Sequence, residues 1–315
     1  MKLIKPSVEI WEQGNTLEDM WKHIARCTRV CYQSTPKENG ESDEEFVKRV
    51  ILRTNSSTGR LNFDKIHGGV LEHGTIYLKL EFVGNQNDKS YLDKYKDNKY
   101  SRYYKSFKPY NSLNCTYVTT NFRVLLENDW LDDLYFICEP TEFHHRRVTV
   151  SFITNIGVSR EFNRHRVNSM AEESTRYCNY NKRNDGQLNI GVPAWLLDDE
   201  HFPYLDSCQH DVLSSYCQEY LNNDIGVWCD MDFYLFSLSV SEYCYNMLIE
   251  KGWTPQQARE VLPLATKTQL IHTAFVDDWK HFFALRADGV SGPPHPNAKA
   301  VAAPLKEEFI KRGYI

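Results

Sequence analysis

Arg164-His165-Arg166-Val167-Asn168-Ser169-Met170-Ala171-Glu172-Glu173-Ser174-Thr175-Arg176-Tyr177 is the stretch on which the reading of this 315-residue chain turns. It places three arginines, one histidine, two carboxylates and the Ser174 hydroxyl within fourteen residues. Guanidinium groups are rigid forks that match phosphate and carbonyl oxygens two at a time. Such a cluster suits an anionic, planar ligand such as a nucleotide. The plainer alternative is a solvated turn, or structural ion pairs with Glu161, Glu172 and Glu173. The surrounding sequence decides between them.

Immediately upstream, Val148 to Thr154 alternates apolar and polar residues, with Val148, Val150 and Phe152 on one face, which predicts a strand. Gly157 to Arg166 then reads as a helix or tight helical turn, so the arginine cluster falls where a strand hands over to a helix. A second strand is expected at Ile76, Leu78, Leu80 and Phe82, alternating with Thr75, Tyr77, Lys79 and Glu81. Helices are expected from Leu17 to about Cys31, with Thr16 as N-cap, and from Ser42, whose partner Glu45 completes a capping box. The second would bury Phe46, Val47, Val50 and Ile51. Long helices are expected at Tyr204–Leu221 and Val227–Lys251. Thr254-Pro255-Gln256-Gln257 is a strong helix start, Asn184-Asp185-Gly186 a turn signal, and Gly313 follows the last helix.

Between the two strands, residues 84–110 carry six tyrosines and seven Lys/Arg against three Asp. This segment reads as an insertion loop, with room for a short helix, and is too polar to hold a core of its own. The chain as a whole reads as a single domain, 1–315, carrying that insert.

Composition bounds the function. Hydrophobic residues make up 41% and aromatics 13%, which is a globular chain, and the net charge of −5 argues against a general polyanion-binding surface. An anion site must therefore be local. Met1 to Glu9 lacks a secretory pattern, and the best membrane candidate, Val227 to Ile249, is broken by Asp230, Asp232 and Glu242. Nine scattered cysteines fit reduced thiols in a cytosol. His23, Cys27 and Cys31 share one helical face and read as buried groups before they read as a metal site. His144-His145-Arg146-Arg147 reads as a solvated approach to the strand. A nucleophilic Ser174 would need a base such as His165, but no Gly-x-Ser-x-Gly elbow surrounds it.

Arg164-His165-Arg166, seven residues and then Ser174 resembles the RHR-x7-S motif of the flavin-dependent thymidylate synthases. Four further segments resemble that family in the same order. They are Arg26 to Ser34, His67-Gly68-Gly69-Val70-Leu71-Glu72-His73, Ala258-Arg259-Glu260-Val261-Leu262-Pro263-Leu264, and Trp279 to Arg286. Together they run from about residue 20 to 305. One short motif is a weak signal, and five in order are strong.

The resemblance implies an α+β fold with a central, mostly antiparallel sheet and flanking helices. It implies conversion of dUMP to dTMP, with methylenetetrahydrofolate as one-carbon donor and NADPH-reduced FAD as hydride donor. It also implies a homotetramer with shared active sites. For dUMP it points to Arg164, Glu172, Ser174, Arg176, Arg259 and Arg286, with Arg286 at the pyrimidine as the catalytic residue. For FAD it points to His67, Gly69, Glu72, Arg164, His165, Arg166, Glu172 and His281. The chain departs from the family pattern where Phe275-Val276-Asp277 replaces Asn-x-Arg, with Lys280 as the nearby cation, and at Ala171 and Gly69. Two other readings stay open. One is another C5-modified pyrimidine product, such as a hydroxymethyl nucleotide. The other is single-stranded nucleic-acid binding through the basic, tyrosine-rich insert, although a solvated loop is the more economical account of it.

Overall fold

In the computed structural model the expected strand at Val148 to Thr154 is the centre of the main sheet. The structure describes residues 1–36, 40–53, 66–83, 89–108, 113–180, 186–198, 201–203, 213–222 and 225–315. The described strands are β1 (Lys2–Ile4), β2 (Ser7–Trp11), β3 (Thr75–Val83), β4 (Arg102–Lys108), β5 (Leu113–Asn121), β6 (Arg147–Asn155), β7 (Ser169–Glu172), β8 (Asn189–Gly191) and β9 (Lys267–Phe275). The helices are α1 (Leu17–Tyr32), α2 (Asp43–Val50), α3 (Lys89–Lys96), α4 (Phe122–Glu127), α5 (Ile156–Phe162), α6 (Leu213–Leu221), α7 (Asp230–Glu250), α8 (Pro255–Ala258), α9 (Val276–Phe283) and α10 (Pro296–Lys311). The main sheet has four strands in the order β2-β6-β9-β7, all antiparallel. A second, antiparallel sheet has the order β3-β5-β4, and β1 pairs with β8 in parallel. The α+β architecture, with antiparallel sheets and flanking helices, is the one expected.

The alternation within β6 and β9 explains the layers. Val148, Val150, Phe152, Leu270 and Ala274 face one way, into a core with Trp279, Phe282 and Phe283 of α9 and Phe309 of α10. Burying each such aromatic stabilises the fold by about 3 kcal/mol. The opposite face carries hydroxyls and is covered by α1. There His23 Nε2 lies 3.0 Å from Thr149 Oγ1, and Thr149 Oγ1 lies 2.7 Å from Thr273 Oγ1. Thr273 Oγ1 is in turn 2.8 Å from His73 Nδ1. Buried polar groups need such partners, since leaving one unpaired costs about 1–3 kcal/mol.

Local signals placed the first helices well. Thr16 and Asp19 form a capping box at α1, and Ser42 and Glu45 form another at α2. Met20, Ile24 and Cys27 are fully buried on α1, and burial pushes the Cys27 thiol well above its ordinary range. Gly74 permits the close approach of the next turn to α1, because a Cβ there would meet Ile24 Cδ1 at 2.6 Å. Asp230–Glu250 is helical within the expected 227–251 span, and Leu213–Leu221 within the expected 204–221 span. Residues 204–212, and 184–185 of the expected turn, lie outside the described residues. None of the described helices is long and apolar enough to cross a membrane.

Two expectations are corrected. Residues 84–110 are more than a loop with a short helix. Besides α3 they contain β4, the edge strand of the second sheet. Tyr95, within that segment, is 1% exposed in a core shared with α1, α2, β3 and β5. Lysines suit an edge strand, where they discourage pairing with another chain, so a basic composition did not exclude pairing.

The segment from His144 to Arg147 is not uniformly solvated either. His144 is buried, with Nε2 3.1 Å from the Leu78 carbonyl. Arg147 sits in the sheet and donates to Glu72 O at 3.0 Å, Thr75 Oγ1 at 3.2 Å and Ser169 Oγ at 3.1 Å. It thereby ties together the two ends of the excursion that carries the second sheet. Burial lowers its pKa to about 10, so it stays charged at neutral pH.

Candidate active site

The arginine cluster lies across the connection from α5 to β7, the edge strand of the main sheet. Strand β6 runs directly into α5, whose N-cap Asn155 accepts from the Val158 amide at 3.0 Å. The chain then turns through Arg164 to Asn168 and enters β7, which pairs with β9 from Ser169 opposite Thr273 to Glu172 opposite Leu270. Arg164-His165-Arg166 therefore follows the helix that succeeds β6, and Ser174 follows the short strand.

Past the end of β7 opens a cavity of about 550 Å³. Four of the residues expected at dUMP line it, namely Glu172, Ser174, Arg176 and Arg259. Arg160, Asn163 and Glu260 join them, and sequence reasoning did not single these out. The volume is in the range of small-ligand sites.

Each of the four is held. Glu172 accepts from Asn163 Nδ2 at 3.2 Å and Thr268 Oγ1 at 3.1 Å. The Ser174 amide donates to Cys31 O at 3.1 Å, and its Oγ accepts from the Arg176 amide at 3.3 Å. Arg259 Nη1 donates to Thr175 Oγ1 at 3.3 Å, and Arg176 Nη2 reaches Gln256 Oε1 at 3.5 Å. Behind them, the largely buried pair Glu173–Lys267 closes at 2.8 Å. The result is a polar cleft with two guanidinium groups, of which Arg176 has a neutral partner and Arg259 is also 3.7 Å from the exposed Glu260 carboxylate, a loose contact that leaves donors for an anion. Capping explains Arg259: Thr254 and Gln257 start a single helical turn, α8, and Arg259 follows it directly.

The remaining expected residues do not line this cavity. Arg286, on a π-helical turn after α9, donates from Nη1 to Glu161 Oε2 at 2.7 Å and from Nη2 to Glu161 O at 2.7 Å. Its Nε donates to His165 Nε2 at 3.2 Å. An arginine only donates, so neutral His165 carries its proton on Nδ1. Burial, reinforced by Arg286 and His281, lowers the His165 pKa to about 4. His165 packs against Phe282 and, at 5.9 Å between ring centroids, against His281.

Arg164 and Arg166 are exposed on either side of His165. Gly69 and Glu72 lie apart, on a 3-10 turn, Gly68–His73, that His67 precedes and that packs against β7 and α4. His67 Nε2 is 2.7 Å from Arg53 Nη2, and Glu72 pairs with Arg123 at 2.6 Å. Gly69 faces open space. Lys280, the cation nearest the Phe275–Asp277 departure, pairs with Asp277 at 3.0 Å on the exposed side of α9.

Two exclusions follow for the described residues. The Ser174 hydroxyl is engaged by the Arg176 amide and not by a histidine, and the Nε2 lone pair of His165 is directed to Arg286. No cluster of three or more His, Cys, Asp or Glu side chains could hold a metal.

The chain matches the family described as "Thymidylate synthase complementing protein" over residues 102–312. It is 36% identical over 67 residues to a probable flavin-dependent thymidylate synthase of Paramecium bursaria Chlorella virus 1. That match spans 21% of this chain and 30% of the viral protein. Among solved structures it is similar to a UMP/dUMP methylase, PolB, from Streptomyces cacaoi. The form bound with 5-Br dUMP is 16% identical, with a TM-score of 0.39, covering 99% of this chain and 93% of that chain. The form bound with 5-Br UMP is 16% identical, with a TM-score of 0.40, covering 98% of this chain and 91% of that chain.

Proposed function

The chain belongs to the thymidylate synthase complementing protein family, and from that premise we propose that it is a flavin-dependent thymidylate synthase converting dUMP to dTMP. The observation that carries this reading is the 550 Å³ cavity, in which Glu172, Ser174, Arg176 and Arg259 converge. In this reading Arg176 and Arg259 hold the phosphate of dUMP, and Ser174 and Glu172 bond its sugar and base.

Arg286 then serves the pyrimidine. When C5 becomes nucleophilic, negative charge builds on the ring around N3 and its carbonyls. A fixed guanidinium stabilises that charge without titrating. Arg286 does not line the cavity of its own chain, where it is held by Glu161 and His165. This supports a site completed between copies of the chain, as in a homotetramer, with Arg164 between nucleotide and flavin.

The fit to FAD rests on donor chemistry. Arg164 and Arg166 are exposed cations without an ion-pair partner among the described residues, and they suit a diphosphate. His165, His281, His67, Gly69 and Glu72 complete the proposed set, and the open space at Gly69 leaves room for a ligand. Asp277 is paired with Lys280, so neither contributes a free cation where the family pattern has an arginine. When bound, the flavin supplies the hydride that completes the methyl group, NADPH serves as its reductant and methylenetetrahydrofolate as the one-carbon donor. The protein's own part is to bind, orient and polarise.

The test is an absorbance spectrum of the purified protein, followed after anaerobic addition of NADPH with and without dUMP. A flavin band that bleaches faster with dUMP, and dTMP formed once folate is added, is the expected result. Protein that neither carries nor takes up FAD and does not bind dUMP refutes it. A hydroxymethyl nucleotide as product would move the assignment to a related C5 modification.

A further inference from the structure

Resting on this nucleotide reading, we propose that Glu161 is the positioning residue for Arg286, fixing its guanidinium and moderating the charge it presents to the pyrimidine. Glu161 is not among the residues that the sequence motifs single out. It lies in the last turn of α5, more than a hundred residues before Arg286, yet it binds that side chain twice. Its carboxylate takes Nη1 at 2.7 Å and its carbonyl takes Nη2 at 2.7 Å. That carbonyl, at the end of α5, also accepts from the Arg164 amide at 3.3 Å, and its second lone pair serves Arg286. His165 takes the third bond, from Nε, at 3.2 Å.

Three anchors on a planar group leave it no rotational freedom. A guanidinium has five N–H donors, so two remain for a ligand after these three bonds. The geometry is therefore that of a preset donor pair.

The charge is moderated as well as fixed. The Arg286 and Glu161 side chains are 18% and 32% exposed, so the pair is only partly screened by water and its net charge is close to zero. The other charged or titratable groups around Arg286 do not offset this. Burial and Arg286 itself keep His165 neutral, His281 contacts the His165 ring with centroids 5.9 Å apart, and Asp288 on the same turn pairs with Lys306 at 2.7 Å. Glu161 thus weakens the field of Arg286 in exchange for its orientation. Glu161→Gln keeps an acceptor and the backbone bond and removes the negative charge. Glu161→Ala keeps only the backbone bond.

The experiment uses 5-fluoro-dUMP, whose fluorine acidifies N3–H and reports its ionisation by 19F NMR. In the parent protein and in Glu161→Gln, the ionisation of the bound ligand is titrated. The expected result is a shift to lower pH by about one unit in Glu161→Gln, a tenfold change in the ionisation constant. The KM for dUMP should stay within about threefold, because phosphate binding is made elsewhere. An unshifted titration overturns the proposal. A second measurement needs no nucleotide. The Arg286 Nη1–H, which donates to the Glu161 carboxylate, should give a slowly exchanging 1H–15N signal in the parent that is lost in Glu161→Ala. Its persistence in Glu161→Ala overturns the positioning role even if the protein binds dUMP. If the parent does not bind 5-fluoro-dUMP, the nucleotide reading fails and takes the pyrimidine role with it, whatever the arginine signal shows.

Discussion

Acid should unfold this protein through its buried histidines, and His272 is the position at which to see it. Its side chain is fully buried beside Phe152, Phe162, Trp279 and Phe282, with Nδ1 3.1 Å from Asn168 Nδ2. Burial, with a smaller contribution from His165, lowers its pKa from 6.5 to about 3. His23, held under α1 against Thr149, is lowered to about 4 by burial and then by Arg26 and Arg147. In both cases the folded pKa lies below the unfolded one, so the unfolded chain binds more protons in the window between them. The stability is complete above about pH 6.5 and is lost as pH falls toward the folded values. At pH 5 each histidine has cost about 2 kcal/mol relative to pH 7, or about 4 kcal/mol for the pair. That is a large fraction of a typical folding free energy. The assay is urea unfolding at both pH values in the parent protein and in His272→Phe. The absolute stability of the variant will change through packing, and that change is not diagnostic. The difference between the two pH values is. It should shrink by about 2 kcal/mol in His272→Phe. A pH difference equal to the parent's would refute the assignment of His272 as a buried neutral base.

Other predictions are more local. Lys267→Met should destabilise the fold by about 3 kcal/mol, by leaving Glu173 buried without its partner. The double variant Lys267→Met/Glu173→Gln should recover much of that loss in thermal unfolding, and no recovery would mean that the pair is not coupled. Arg259→Ala should raise the KM for dUMP by about tenfold to a hundredfold, the worth of a charge-assisted contact. An unchanged KM would remove Arg259 from the phosphate. Ser174→Ala should lower turnover by no more than about tenfold, as expected for a substrate contact. A loss of about a thousandfold or more would instead mark Ser174 as a nucleophile.

The chain shows where local signals suffice. Capping boxes at Thr16–Asp19, Ser42–Glu45 and Thr254–Gln257, and alternation at β3 and β6, are interactions within a few residues, so they can be read directly along the sequence. The motif also announced Glu172, Ser174, Arg176 and Arg259, because a guanidinium or hydroxyl of the right type is visible before its neighbours are. What failed was inference of exposure from composition. Arg147 looks solvated beside Arg146, and His144 beside His145. Burial depends on what packs above a residue, and here that is supplied by β3 and by β7, reached only through tertiary contacts. Strand β4 hides inside a basic segment for the same reason. An edge strand's pairing is set by its partner β5, while its own side chains need only be compatible with solvent.

The sequence by itself determined the family, the helix starts, the alternating strands and the residue types available for an anionic nucleotide. Their distribution was decided by the tertiary structure. It set Arg176 and Arg259 in one cavity and turned Arg286 away to Glu161 and His165. It half-buried Arg147 and fixed the proton of neutral His165 on Nδ1. Chemical type is a property of one residue and survives in the linear order. The charge a side chain has left to offer depends on which distant groups already hold it, and the fold alone brings those groups within hydrogen-bond reach.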